Sequence, residues 1–419
     1  MSIVEPIFQL DNNVTFNNNR RKQDILKVSP INGQSIWDSP GNKAYEVNNQ
    51  QHYLLFSEAY LYGEVELTLT GGDDKIALEN NWFPRCFSQI ILRIGGTEIE
   101  GIHSSVGEAS TLANLVMTSD IYKRTYGQIS GWLPDTAKGD QDVADIDYNA
   151  GYYWRMKLYN AKKKFSFIFP LKYLFGFCTD YNKILYLIKI RLEMSLKPDA
   201  EIGTEIFFGD AATTGKIKFN RIDLHVPYVE PSLEIEEIVT KRLNTNTPID
   251  VIFLKRTMNT LSIPTGEKVS WSLGNFTNAI RFVFVCFKKD ASAIDKNNAL
   301  FTGTGIKSLR LQLNGLYYPV ESFDMNFEDC NIAEVFKAYI DACESFGNEP
   351  QLTLQEFKDL YPIFAIDCSS QPDNLKSNGI QLTLHITKKS TSTFQAFALL
   401  LEDARFTIST GEGKMLRIE

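Results

Sequence analysis

The feature that most constrains this chain is an order of segments that occurs twice. In the first half a hairpin segment, ILRIGGTEIE, runs into the helix-forming stretch STLANLVMTSDIYKRTYG. In the second half LRLQLNGLYYP runs into NIAEVFKAYIDACESFG, and Gly96 and Gly127 match Gly315 and Gly347 at nearly constant offset. An apolar-aromatic segment follows each helix, FSFIFPLKYLFGF and then LTLQEFKDLYPIFAID. Each half next has a basic-flanked strand, ILYLIKIRLEM or IQLTLHITKK, and closes on a long one, IKFNRIDLHVPYV or FQAFALLLEDARFTI. The first copy is longer mainly through residues 127–163. Residue identity between the copies is low, so what repeats is a plan of elements, and such a plan decides the architecture.

The elements themselves are strand-like. HYLLFSEAYLYGEVELTLT alternates apolar and polar positions as a half-buried strand does. SQIILRIGGTEIEG reads as a hairpin turning at Gly95-Gly96. Aromatics make up 12% of the chain, which suits strands. Helices are predicted over 105–118, over 231–243 with acids early and bases late, and over 329–345. About eight strands per half with long crossovers predict an all-β fold of two tandem eight-stranded jelly-roll sandwiches with short helices. The expected division is an N-terminal arm at 1–48, a first roll at 49–230 and a second at 231–419, with 231–243 as a linking helix. A length of 419 residues taken alone would suggest nearly three domains at roughly 150 residues each.

Apolar residues at 43% and charged residues at 22% exclude a disordered chain. A net charge of −8 argues against a protein that wraps nucleic acid. Six cysteines without a CxxC pair are expected to be mostly buried free thiols in a reducing compartment. No signal peptide and no membrane span are expected, so the sequons at Asn13 and Asn275 carry little weight. His52, His103, His225 and His385 are isolated, which disfavours a metal site. No GxSxG accompanies His103-Ser104-Ser105, and neither 303–308 nor 411–414 is a phosphate loop. No catalytic, cofactor-binding or metal-ligating residue is therefore expected.

Two features could carry interactions. The 127–163 segment reads as a long polar loop holding Trp132, Tyr148, Tyr152, Tyr153 and Trp154. Large aromatics there are candidates for contacts between subunits, since burying them against a neighbour is favourable. Capping their own sandwich is an equal alternative. The loop acids Asp140, Asp142, Asp145 and Asp147 lack the spacing of a Ca²⁺ loop. Arg20, Arg21, Lys22 and Lys27 follow an Asn-rich tract and read as either a solvated arm or a phosphate-contacting one.

Two tandem sandwiches, each with a helix after its hairpin, resemble the double-jelly-roll major capsid proteins of double-stranded DNA viruses. The local wording is similar to the adintovirus and Polinton-like group in NNWFPRCFSQIILRIGGTEIEG (80–101), LQLNGLYYPVESF (311–323) and QEFKDLYPIFAIDCSSQ (355–371). The resemblance covers residue 50 or so to the C-terminus, and the chain is short beside large members of that lineage. It implies a non-enzymatic structural protein, found in the virion and assembled inside the host cell. It further implies a homotrimer of six rolls forming a pseudo-hexameric capsomer of an icosahedral shell. Neighbouring capsomers and a minor capsid or penton protein would be the partners, with at most weak nucleic-acid contact through the arm. The competing expectation is a β-sandwich carbohydrate-binding or adhesion protein using the aromatic loop as its platform.

Overall fold

The computed structural model describes residues 20–48, 52–136, 149–161, 163–245, 247–289, 292–371 and 379–409, and the backbone of 414–417. The first half contributes β1 (Arg20–Val28), β2 (Gly41–Val47), β3 (Tyr60–Thr70), β4 (Phe87–Ile94), β5 (Thr97–Ile102), β6 (Lys164–Pro170), β7 (Ile190–Leu196) and β8 (Thr214–Pro231). They pair antiparallel into two sheets, β1-β8-β3-β6 and β2-β7-β4-β5. The second half contributes β9 (Ile249–Ile263), β10 (Lys268–Phe276), β11 (Ile280–Lys288), β12 (Ile306–Leu313), β13 (Leu316–Asp324), β14 (Phe364–Asp367), β15 (Ile380–Lys388) and β16 (Phe394–Ser409). Its sheets are β9-β16-β11-β14 and β10-β15-β12-β13. Each half follows the same path with the numbering advanced by eight. In each, the closing strand lies beside the opening one, which is the jelly-roll winding and seals most sheet edges.

The strand sequences explain the layers. β7 buries Ile190, Leu192, Met194 and Leu196 and leaves the residues between them half-exposed, the period of two that a pleated strand imposes. β15 does the same with Ile380, Leu382, Leu384 and Ile386. By contrast β11 is buried almost throughout, and its run FVFVCF has no alternation. A strand covered on both faces reads that way. The two hairpins that mark the repeat turn at Gly95-Gly96 and Asn314-Gly315, all four with positive φ. A two-residue turn of that kind needs both central residues left-handed, hence Gly or Asn.

The helices join the halves. α1 (Val106–Met117) follows the first hairpin and is buried on nearly every side. α2 (Ala150–Tyr159) lies in the expanded first-half segment, and α3 (Leu233–Asn244) links the rolls. α4 (Ala333–Ser345) follows the second hairpin and turns Val335, Tyr339, Ala342 and Cys343 inward, a stripe at helical spacing. The helices after the two hairpins meet each other. Tyr339 donates its hydroxyl to the Leu115 carbonyl at 3.0 Å, and the Gln351 amide donates to the carbonyls of Asn114 and Thr118 at 2.7 and 2.6 Å. One continuous apolar core runs through both rolls. Among the described residues no helix is long and apolar enough to cross a membrane. Five cysteines are buried as free thiols, and Cys330 is exposed.

One expectation about the domains is corrected. Residues 20–47 are not an arm, because they supply the first two strands of the first roll. β1 pairs with the end of β8 from Lys22 opposite Glu230 to Val28 opposite Leu224. β2 pairs with β7 from Gly41 opposite Leu196 to Val47 opposite Ile190. Between them Trp37 is buried against Phe219 and Phe87, and Asp223 accepts hydrogen bonds from Ser29 and Gln34. β1 escaped notice because it is an edge strand whose first six residues are exposed, leaving only Leu26 and Val28 against the core. Among the described residues the first roll therefore starts at Arg20 rather than 49. Residues 1–19, with the whole Asn-rich tract that precedes Arg20, lie outside the described residues.

Candidate assembly surfaces

The aromatic candidates divide. Asn149 caps α2, accepting the Tyr152 N–H at 3.1 Å, so the supposed loop is a helix over its second half. Its inner face is Tyr152, Arg155, Met156 and Tyr159, and its outer face carries Trp154 and Leu158, 60% and 53% exposed. Tyr152 is fully buried, edge-on to Phe208 with ring centroids 5.6 Å apart. Trp132 is also fully buried, in the main core. Neither can reach a neighbour, which corrects their reading as subunit contacts; both pack into the body of their own roll, the alternative reading of these rings. Tyr153 is half-buried, with Lys157 over its ring at 5.5 Å and Trp154 edge-on at 5.4 Å. Tyr148 and the four loop acids lie outside the described residues.

The basic candidates also change character. Arg20, Arg21, Lys22 and Lys27 stand on edge strand β1 and are exposed. Lys22 lies 3.2 Å from Asp24 and 3.4 Å from the Tyr228 hydroxyl, and Arg20 donates to Gln23 at 3.0 Å. A row of charge on an edge strand discourages pairing with a stray strand, and this rigid row is not a free tail. Nearby, Ile25, Tyr126 and Ile129 are exposed apolar side chains, and Ile25 and Tyr126 line a groove of about 430 Å³ with Ile168 and Pro170. The histidines are spread out. His103 sits 2.9 Å from Glu98, His225 bonds the Tyr60 hydroxyl at 3.0 Å, and His385 bonds Ser270 and Gln312.

The seam between the rolls holds charged groups that sequence spacing did not reveal. On β5, Glu100 accepts the N–H groups of Gly176 and Phe177 at 2.9 Å each and of Arg256, on β9, at 2.8 Å. The fit is close: a Cβ on Gly176 would stand 1.8 Å from the Leu254 carbonyl oxygen. Glu108 on α1 binds Arg85 at 2.7 Å and Lys288 on β11 at 2.5 Å. Burial alone would raise the Glu108 carboxyl, but Lys288 and Arg85 outweigh it and hold it well below the usual range. A third group joins Arg155 to Asp135 at 2.7 Å, both fully buried, with the guanidinium also donating to the carbonyls of Leu78 and Leu133. Asn297 and Asn298 of the second half reach into it, to Asp135 at 3.2 Å and to Glu79 at 2.8 Å. The Glu100–Arg256 and Glu108–Lys288 contacts run from one roll to the other and tie them into one block, whereas Arg155 and Asp135 pair within the first roll and the second reaches them through Asn297.

Against this geometry, comparison with known families is decisive. The model of the double jelly roll-like domain matches residues 140–405, well over half the chain. The chain belongs to the double jelly roll-like domain family. No curated protein sequence matches. This double jelly roll is similar to a chain in the structure of the Sputnik virophage, with TM-score 0.66 and 10% identity, covering 100% of this chain and 92% of that one. It is also similar to the mavirus major capsid protein, with TM-score 0.56 and 11% identity, covering 94% and 90%. The Faustovirus major capsid protein gives TM-score 0.57 and 8% identity, covering 98% and 93%. At such identities the shared property is the fold.

One group in the seam of this double jelly roll should report on pH. Glu79 is fully buried, and that burial, with Asp135 adding to it, pushes its carboxyl up to about 7 despite Arg155 and Arg85. Its folded value lies above its unfolded one. The stability it contributes is therefore complete below about pH 4.5 and lost as the pH rises through 7, a span worth about 3 kcal/mol. Urea unfolding between pH 5 and 8 is expected to show this decline in the wild type and a flatter profile in Glu79→Gln. Parallel profiles would remove Glu79 as the cause.

Proposed function

We propose that this double jelly roll is a major capsid protein, a structural subunit whose work is self-association. The carrying observation is that two rolls of identical topology are locked side by side into one block. Three such blocks around a threefold axis present six similar rolls, a pseudo-hexameric capsomer that tiles an icosahedral shell. The mavirus and Faustovirus major capsid proteins, which share the fold, support this reading. The wording of residues 80–101, 311–323 and 355–371 supports the adintovirus and Polinton-like branch of the proposal. The protein then resides in the virion, with neighbouring capsomers and a minor capsid or penton protein as partners. Its net charge of −8 suits a shell that encloses a genome without gripping it, and the β1 row of Arg20, Arg21, Lys22 and Lys27 offers at most a weak phosphate contact. Negative-stain images of purified protein test the proposal. Pseudo-hexagonal particles are expected, and a field of single two-lobed blocks would overturn it.

Within the trimer, the outer face of α2 is the proposed contact. Trp154 and Leu158 lie one turn apart and exposed, with Tyr153 beside them. A central aromatic anchor is worth about 2 kcal/mol or more, so Trp154→Ala should weaken self-association about 30-fold. The subunit should fold as before, since the ring touches little of it. Equal association in sedimentation by wild type and variant would remove this face from the interface.

A further inference from the structure

A cavity lies on the seam where the end of α1 meets β9. It has a volume of about 340 Å³ and is lined by Asn114, Met117 and Ser119 at and after the end of α1, Lys172 and Tyr173 after β6, and Arg256 of β9. Both rolls therefore contribute to it, through residues that lie well inside described stretches of the chain. Among the described residues its lining includes two cations, Arg256 and Lys172, and no carboxylate.

Arg256 is the decisive group. It is only 3% exposed, and none of its guanidinium's hydrogen bonds goes to a carboxylate. Nη2 donates to the Thr179 hydroxyl at 3.1 Å and to the Met117 sulfur at 3.4 Å, and Nη1 has no partner among the described residues. Burial draws the guanidinium's pKa down, while Glu100 and Asp180 favour its charge without bonding it. Those two carboxylates are occupied, Glu100 by three backbone N–H groups and Asp180 by that of Leu254 at 2.8 Å. A buried cation without a bonded counter-charge is costly. Asn114, 1% exposed, is in the same condition, since neither amide atom of its side chain has a partner among the described residues. Lys172 stands exposed at the rim, its Nζ 5.2 Å from the Tyr173 ring centroid. The neighbouring acid Asp120 is held by Lys123 and, at 3.0 Å, by Arg124.

We propose that this cavity binds a phosphate group, with Arg256 and Lys172 supplying the charge and the Asn114 amide a further donor. A phosphate or phosphomonoester carries about −1.5 to −2 at pH 7, which two cations balance, whereas a single carboxylate would leave one of them unmatched. The planar fork of the guanidinium, with N–H groups still unused, suits phosphate oxygens. Arg256 belongs to the second roll, and Lys172 and Asn114 belong to the first, so the bound group ties the seam from both sides. The inference stands independently of the capsid reading.

Isothermal titration calorimetry of the full-length protein with inorganic phosphate, at constant ionic strength in a phosphate-free buffer, tests it. One saturable site per chain is expected. Lys172→Glu, at an exposed position where folding is undisturbed, should weaken binding about tenfold or more. Arg256→Lys, which keeps the charge but not the fork, should weaken it by a similar factor. Lys216→Glu makes the same change in net charge at an exposed site opposite Thr68, toward the end of β3 remote from Lys172, and should bind as the wild type does. Binding of AMP tighter than that of inorganic phosphate, and equally sensitive to Lys172→Glu, would support the site and assign it to a phosphomonoester. No saturable phosphate binding, or equal weakening by the two lysine variants, would overturn the proposal. Succinate binding as tightly as phosphate would assign the cavity to carboxylates and also overturn it.

Discussion

Glu100→Ala is expected to lower the unfolding free energy by about 4 kcal/mol and to uncouple the two rolls. Its carboxylate accepts three backbone N–H groups, two from the turn at Gly176–Phe177 and one from Arg256 across the seam. Removing it leaves those donors buried without partners, at about 1–3 kcal/mol each before relaxation. The buried Arg256 guanidinium also loses the carboxylate that favours its charge most. Glu100→Gln keeps one acceptor oxygen and should cost roughly half as much. Urea unfolding followed by fluorescence is expected to split from one transition into two in the alanine variant, since the rolls then lack a shared anchor. A loss below about 1 kcal/mol, with a single transition kept, would show that the seam does not depend on this carboxylate.

Arg155→Met should cost about 3–5 kcal/mol, the range for breaking a buried pair from one side. The guanidinium makes three hydrogen bonds, to the Leu78 and Leu133 carbonyls and to Asp135. Its removal strands the Asp135 carboxylate in a site with no exposure. The double variant Arg155→Met, Asp135→Asn should recover a substantial part of the loss, because the orphaned charge goes too. A double-mutant cycle measures the coupling directly. Additive losses would mean that the pair acts as two independent packing residues.

Much of the architecture was legible in the chain because it rests on local order. The hairpins at Gly95-Gly96 and Asn314-Gly315, the helices that follow them and the long closing strands all announce themselves by turn chemistry or periodicity. What escaped notice did so for physical reasons. β1 is an edge strand and shows solvent mostly polar residues. α2 turns an arginine inward beside Tyr152 and Met156, so its buried stripe is not apolar and its period is masked. Trp132 and Tyr152 looked like surface aromatics because Asp and Gly surround them in sequence, whereas the core surrounds them in space. The seam charges pair residues such as Glu108 with Lys288 and Glu79 with Asn298, 180 and 219 positions apart, and no spacing rule reaches that far.

The seam also gives the capsid reading its mechanical sense. In the proposed capsomer each subunit supplies two of six rolls and must hold them in a fixed relation, and the Glu100–Arg256 and Glu108–Lys288 contacts run across that joint. The proposed capsomer requires that such blocks associate in threes. Size-exclusion chromatography with light scattering measures this directly on a chain of 47.6 kDa. A species of three chains, about 143 kDa, or a larger particle built from it is expected. A clean 47.6 kDa monomer at high concentration would contradict it.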